Sequence, residues 1–300
     1  MNKYFHGIIP PVSIIFDQNG ELDRQGTAKV IDYLIEEKVD GLFFLGSGGE
    51  FSQLSTEQRI EVAEFTTKYV SKRVPVLIGT GSSSTNETIL LSKHAEEIGA
   101  DGIVVINPYF WSLTEENLLK HFGDIAESVK LPILLYNFPN LTGQDLSPSL
   151  VLKLVERHEN IVGIKETIDS IEHIHSMITI VKTKFPSFTV FAGFDNHLFN
   201  TLSLGGDGAI CASINFAPQV ALGLYDAFMK NDLELAVKLN KQISTFPKLY
   251  KLDSPFIGVV KEAMNMIGLN ISTNVLPPAR VLNDEKKDAL NEILKEAGII

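Results

Sequence analysis

The sequence predicts an α/β protein: one (β/α)8 barrel (TIM barrel) with a C-terminal helical extension of about three helices. Eight short apolar runs recur along the chain, and each is followed by a polar or glycine-rich turn and then a helical pattern. An Asp-Gly turn enters an apolar run three times, in VDGLFFLG, ADGIVVIN and GDGAICAS, which indicates internal repetition. Parallel strands that alternate with helices in this way close naturally into a barrel.

The predicted strands are residues 7–16, 41–45, 75–79, 102–107, 132–137, 161–165, 188–193 and 208–212. Helix starts are marked between them, by a capping box of Ser55 and Gln58 and by Ser147 as N-cap before Pro148. Further N-cap candidates are Thr85, Thr114, Asp169 and Asp195. The competing fold is an open doubly wound sheet, which we expect to carry fewer strands and a nucleotide fingerprint.

Helical patterns continue after the last strand, at about 216–229, 232–249, 254–267 and 284–297. We therefore predict that the barrel spans residues 1–230 and that residues 231–300 form the helical extension. No linker rich in proline, glycine or serine separates the two. The extension is therefore expected to pack on the barrel as part of one structural unit.

Composition argues against several classes of protein. The net charge of -11 repels a phosphate backbone, so nucleic acid is an unsuitable partner. No run approaches the roughly 18 apolar residues of a membrane helix, and Pro10 and Pro11 interrupt the short N-terminal apolar run. The only cysteine, Cys211, lies in an apolar GAICA segment, so we expect it to be buried. These features favour a cytoplasmic protein.

Lys165 is the first candidate for chemistry, because it ends the sixth predicted strand at the rim where barrel enzymes hold their active sites. Strand alternation places it on one face with Ile161 and Gly163. An amine at a desolvated rim loses its proton more readily and can attack a carbonyl. The alternative is a structural ion pair with Glu166 or Glu50.

Two neighbouring segments complete a possible site. Tyr136 ends the fifth strand and can shuttle a proton, although an ordinary half-buried aromatic is the alternative. The GSGGE segment at 46–50 can turn the N–H groups of Ser47 and Gly48 inward as a nest for a carboxylate, or it is simply a tight turn. An amine, a proton shuttle and an anion cradle are what an imine with a 2-oxo acid requires.

Other constellations are weaker. His173 and His175 are two apart in a predicted helix and diverge, and the other histidines are scattered, so we expect no metal site. The aromatic cluster Tyr109-Phe110-Trp111 either lines the pocket or packs against another subunit.

With GSGGE at 46–50, YNFP at 136–139 and GIKE at 163–166, the chain resembles the dihydrodipicolinate synthase and N-acetylneuraminate lyase family of class I pyruvate aldolases over residues 5–298. The resemblance implies that Lys165 forms an imine, so that no cofactor is needed, and that Tyr136 moves protons. It further implies that Ser47 and Gly48 bind the pyruvate carboxylate, that Ile210 lines the pyruvate pocket, and that the chain forms a homotetramer.

The chain departs from the synthase pattern at three points. Gly48 replaces a threonine, Phe110 replaces the tyrosine of a relay that crosses a subunit interface, and Leu141 replaces an arginine that binds the second carboxylate of the aldehyde. The surrounding segments are instead similar to the branch that cleaves 2-keto-3-deoxy sugar acids, such as 2-keto-3-deoxygluconate.

We therefore expect a lyase that reversibly cleaves a 2-keto-3-deoxy sugar acid to pyruvate and a short hydroxyaldehyde. Gly193, Asp195 and Asn196 are candidates for binding the sugar portion, although Asp195 and Asn196 equally suit helix capping. One alternative is the synthase reaction of pyruvate with aspartate semialdehyde. A binding protein for 2-oxo acids that has lost catalysis is the alternative of another class.

Overall fold

The computed structural model describes residues 5–300 and contains one eight-stranded parallel sheet that curls into a barrel. The strands are β1 (Gly7–Ile8), β2 (Leu42–Phe44), β3 (Val76–Gly79), β4 (Gly102–Ile106), β5 (Ile133–Asn137), β6 (Ile161–Glu166), β7 (Thr189–Ala192) and β8 (Gly208–Ala209). They pair in sequence order from β2 to β8, and β8 pairs with β1. An isolated parallel bridge between Pro11 and Phe43 joins the two edges, so the predicted barrel is confirmed.

The helices lie between and after the strands. They are α1 (Arg24–Glu36), α2 (Thr56–Val70), α3 (Thr85–Glu97), α4 (Glu115–Ser128), α5 (Pro139–Thr142), α6 (Pro148–Arg157), α7 (Ile171–Met177), α8 (Leu198–Ser203), α9 (Pro218–Met229), α10 (Leu233–Ile243), α11 (Ile257–Met264) and α12 (Asp284–Glu296). Each of the eight strands lies within or next to its predicted run. None of the helices in the described residues is both long and apolar enough to cross a membrane.

The first strand is much shorter than the predicted 7–16. Pro10 and Pro11 have no N–H to donate to a ladder, so regular pairing stops at Ile8 and only isolated bridges follow, at Pro11 and Phe16. The missing regular pairs explain why one isolated bridge, between Pro11 and Phe43, closes the barrel at this edge.

Several helix starts agree with the sequence. Ser55 forms the expected capping box with Gln58, and the side chains of Thr114 and Ser147 cap their helices as predicted. Three other expectations were wrong. Ser84 and Ser170 cap α3 and α7, one residue away from Thr85 and Asp169, and Asp195 caps no helix with its side chain.

The C-terminal helices α10 to α12 pack on the barrel, and one hydrophobic core runs through both parts. Buried side chains of the extension, such as Phe246, Leu249 and Val260, belong to the same apolar cluster as the barrel strands. The boundary at residue 230 stays a prediction. Cys211 is buried, as expected.

Candidate active site

Lys165 and Tyr136 lie side by side at the carboxyl ends of β6 and β5. Their Cα atoms are register partners in the sheet, and both side chains are buried, with 4% and 3% of their surfaces exposed. The Nζ atom of Lys165 lies 4.1 Å from the centre of the Tyr136 ring and 5.4 Å from that of Phe43. The two aromatic rings therefore surround the amine with apolar surface and supply no carboxylate to pair with it.

The two carboxylates considered as structural partners of Lys165 are both engaged elsewhere. Glu50 is paired with Lys261, and Glu166 accepts a hydrogen bond from Asn137 on the outer face of the sheet. Among residues 5–300, no carboxylate oxygen lies within ion-pairing distance of the Lys165 amine. The alternative of a structural ion pair with Glu50 or Glu166 is therefore wrong, and the Lys165 side chain instead lines a cavity.

The GSGGE segment lies next to Lys165 and Tyr136 and lines the same cavity. Ser47–Gly49 is a short 3-10 turn, and the first N–H groups of such a turn have no acceptor within it. The Ser47 hydroxyl lies 3.3 Å from the Tyr136 hydroxyl, and either can donate. Glu50 takes a left-handed conformation (φ 59°) with a fully buried side chain. Ser47, Gly48 and Tyr136 together offer hydrogen-bond donors to an anion beside the Lys165 amine.

Two adjoining cavities meet above these residues. The inner chamber has a volume of about 110 Å³ and is lined by Lys165, Tyr136, Ser47, Gly48, Gly193, Asp195 and Ile210, together with Pro11, Phe138, Thr167, Phe194, Ala212, Tyr250 and Phe256. The outer chamber has a volume of about 380 Å³ and shares Ser47, Tyr250 and Phe256 with the inner one. A small chamber at the Lys165 amine therefore adjoins a larger one. This arrangement suits a substrate whose reacting end enters the inner chamber and whose longer tail occupies the outer chamber.

The three residues that the sequence predicts to bind the sugar portion of the substrate differ in their positions. Gly193 lines the inner chamber, and a Cβ there would lie 2.0 Å from the Thr167 hydroxyl, so only glycine fits. Asp195 also lines it, but its carboxylate is held by the hydroxyls of Ser213 and Tyr250, and burial raises its pKa. Asn196 is half-buried and lines neither chamber.

Two residues of the site were missed by the sequence analysis. Thr167 is buried in the inner chamber, and its hydroxyl has no hydrogen-bond partner among the described residues. Strand alternation from Lys165 places it on the same face, so the signal was present. Tyr250 lines both chambers, but it comes from the extension, and no local pattern marks it.

The outer chamber carries one of the three positions at which the chain departs from the synthase pattern, and the inner chamber carries another, Gly48. Leu141, half of whose surface is exposed, lies in the wall of the outer chamber with Tyr109, Gln53 and Asp253. Phe110 and Trp111 do not line it and lie on the surface, 88% and 73% exposed. Among the described residues that line the two chambers, Lys165 is the only lysine, arginine or histidine. A substrate tail with a second carboxylate therefore meets no cation here.

Comparisons with known proteins find relatives that match the chain over nearly its whole length. The chain is 55% identical to "Putative 2-dehydro-3-deoxy-D-gluconate aldolase YagE" of Escherichia coli K12, over 97% of each chain. It is 51% identical to "Probable 2-dehydro-3-deoxy-D-pentonate aldolase YjhH" of the same organism, over 99% of each chain. A crystal structure of YagE in complex with pyruvate superposes with a TM-score of 0.98 at 54% identity, covering 99% of both chains.

The model of the dihydrodipicolinate synthetase family matches residues 4–297, nearly the whole chain. The resemblance drawn from the GSGGE, YNFP and GIKE segments is thereby confirmed. The chain belongs to the dihydrodipicolinate synthetase family.

Proposed function

We propose that this protein is a class I aldolase that reversibly cleaves a 2-keto-3-deoxy sugar acid to pyruvate and a short hydroxyaldehyde through an imine on Lys165. The single observation that carries the proposal is the buried Lys165 amine, 4.1 Å from the Tyr136 ring centre, with the donors of Ser47 and Gly48 across a small chamber. The sugar acids in the names of YagE and YjhH are of the same chemical class and support the choice of substrate.

The steps follow from the positions of these groups. The substrate carboxylate lies against Ser47 and Gly48, and the Lys165 amine adds to C2; loss of water gives an iminium. The C3–C4 bond then breaks, its electron pair moves into the enamine, and the C4 hydroxyl loses its proton as the aldehyde forms. In this proposal Tyr136 carries protons in these steps. Protonation of the enamine at C3 and hydrolysis release pyruvate, so the proposed cycle needs no cofactor.

The tail of the substrate is assigned to the outer chamber. Its lining offers hydroxyl, amide and carboxylate groups, from Ser52, Gln53 and Asp253, which suit the hydroxyl groups of a sugar chain. Leu141 stands where a second carboxylate would need a cation. These features favour a hydroxyaldehyde over aspartate semialdehyde as the partner of pyruvate.

Borohydride trapping tests the imine directly. Reduction in the presence of pyruvate should add one three-carbon unit to the peptide that contains Lys165, and the Lys165→Met variant should gain none. An unmodified wild-type peptide would overturn the proposal. Release of pyruvate from five- and six-carbon 2-keto-3-deoxy acids then identifies the substrate, and it separates an aldolase from a protein that only binds 2-oxo acids.

The proposal includes a cytoplasmic homotetramer. The single buried cysteine suits a reducing compartment, and the family resemblance supports the assembly. The exposed Phe110 and Trp111 rings, which meet edge to face at 5.4 Å, suit a subunit contact. Sedimentation equilibrium measures the assembly; a monomer at micromolar concentration would contradict it.

A further inference from the structure

A second polar cluster lies directly behind the candidate active site, on the outer face of the barrel. Asn137 follows Tyr136 on β5, and Glu166 follows Lys165 on β6; Asn137 and Glu166 are themselves register partners. Successive strand residues point to opposite faces. Asn137 and Glu166, the outer pair, therefore point outward, whereas Tyr136 and Lys165, the inner pair, point into the barrel. The outer pair is therefore joined to the inner pair by a single peptide unit on each strand.

The outer pair is tied to two further side chains. Asn137 Nδ2 donates to Glu166 Oε2 at 2.9 Å and to Asp145 Oδ1 at 2.8 Å. His173, from α7, lies 3.1 Å from Asp145 Oδ2 through Nε2 and 3.5 Å from Glu166 Oε2 through Nδ1. Asn137 Oδ1 accepts from the N–H of Leu146 at 3.1 Å. Two strands, one loop and one helix are thus joined by this cluster.

Burial and charge make Glu166 the sensitive member of the cluster. Its side chain is fully buried, and its second oxygen, Oε1, has no hydrogen-bond partner among the described residues. Burial raises the pKa of Glu166 to about 7, and the charge of His173 opposes that rise. The side chains of His173 and Asp145 are 13% and 40% exposed, so the cluster reaches from the interior to solvent.

The other groups around Glu166 are uncharged. On β7 its register partner is Ala192, and on β5 it is Asn137. The neighbours of His173 on α7, Glu172 and His175, are exposed. The charged groups that face Glu166 from the elements packed against it are therefore His173 and Asp145.

We propose that Asn137, Asp145, Glu166 and His173 form a positioning network that holds the ends of β5 and β6 in the register needed by Tyr136 and Lys165, and that protonation of Glu166 loosens it. The ionised carboxylate is the stronger acceptor for Asn137 and the partner of His173. The protonated acid is a weaker acceptor for Asn137 and no longer pairs with the charge of His173. The Lys165 amine and the Tyr136 hydroxyl are then no longer held at a fixed separation. The inference rests on the proposed aldolase function, since it concerns the same two side chains.

Glu166→Gln is the main test, because the amide keeps the shape of the side chain and removes its titration. We expect kcat for condensation of pyruvate with glycolaldehyde to fall about tenfold, since small misplacements of reacting groups are costly. KM for pyruvate should change less than about twofold, because the carboxylate cradle is untouched. The wild-type kcat should rise with pH through about 7 as Glu166 ionises. This rising part of the pH profile, the acid limb, should be absent from the Glu166→Gln variant.

His173→Gln gives a second readout, and it serves alone if Glu166→Gln does not fold. Removing the cation should move the acid limb of kcat to higher pH, because the charge of His173 lowers the pKa of Glu166. Asp207→Asn is the matched control. Asp207 is also a buried carboxylate with a cationic partner, Lys182, but it lies outside the chambers; its variant should keep the wild-type profile.

Borohydride trapping with pyruvate keeps the two hypotheses apart. If wild type forms the Lys165 adduct but the profiles of both variants superpose on that of wild type, the network is refuted and the aldolase proposal stands. A limb that disappears in Glu166→Gln, or moves to higher pH in His173→Gln, supports the network. If wild type forms no adduct, both proposals fall.

Discussion

Removal of the Lys261 ammonium should be among the most destabilising single changes in this protein. Lys261 lies on α11, and its Nζ is paired with the carboxylate of Glu50 and donates to the carbonyl oxygen of Asn274 at 2.7 Å. Both charged side chains are 0% exposed. Burial lowers the pKa of Lys261, and the charge of Glu50 opposes that effect. In the interior, each charge is therefore stabilised chiefly by the other.

Among the residues that the structure describes, the Lys261→Met variant leaves the buried carboxylate of Glu50 one hydrogen-bond donor, the N–H of Leu276 at 2.6 Å. Loss of one partner from a buried pair costs about 3–5 kcal/mol, a large share of the 5–15 kcal/mol that usually separates folded from unfolded protein. Glu50→Gln should cost a similar amount, because it strands the ammonium. The double variant should lose much less than the two single changes added together, by at least about 2 kcal/mol.

Urea denaturation at pH 7 measures these free energies of unfolding, with a double-mutant cycle to isolate the coupling. Lys230→Met is the control. Lys230 and Asp226 are 73% and 64% exposed, and loss of such a pair costs at most about 0.5 kcal/mol. Additive losses in the cycle, or a Lys261→Met variant as stable as this control, would refute the reasoning. Because Glu50 directly follows the Ser47–Gly49 turn, weaker pyruvate trapping should accompany the loss of stability.

Three further changes are informative. Leu141→Arg should supply a cation to the outer chamber and raise kcat/KM for aspartate semialdehyde relative to glyceraldehyde by about tenfold; an unchanged ratio would remove Leu141 as a determinant. Burial lowers the pKa of His121 from 6.5 to about 4. The unfolded chain therefore binds more protons between these values, so wild type should lose about 3 kcal/mol of stability as pH falls from 6.5 to 4, and His121→Gln should lose that dependence. Tyr250→Phe removes a donor to the buried Asp195 and should lower the free energy of unfolding by about 1–3 kcal/mol, measured in urea, while pyruvate trapping persists.

The strand pattern could be predicted from the sequence because it depends on local burial. Each strand is a short apolar run, and alternation within 161–165 was enough to direct Lys165 into the barrel and Glu166 out of it. The eight-strand count and the order of the motifs then placed Tyr136 beside Lys165, as the register shows.

Pairings between distant segments could not be predicted in the same way. Glu50 and Lys261 are 211 positions apart, and nothing near either residue marks the other. Glu50 was therefore considered as a partner of Lys165, which has no such partner in the described structure. Asp195 was expected to cap a helix or bind sugar, because neither Ser213 nor Tyr250 could be placed around it.

The contact between Glu50 and the extension also has a consequence for synthesis on the ribosome. All eight strands, and with them Lys165 and Tyr136, are translated before α11. The nascent barrel then carries the carboxylate of Glu50 without its cation until residue 261 has been made. A chain terminated early, after β8 but before α11, contains Lys165, the proposed nucleophile, but lacks the cation that pairs with Glu50 next to the Ser47–Gly49 turn. We therefore expect the Ser47–Gly49 turn, the proposed carboxylate site, to be one of the last parts of the chain to reach its final structure, and we expect truncated chains to be more susceptible to proteolysis than the full chain.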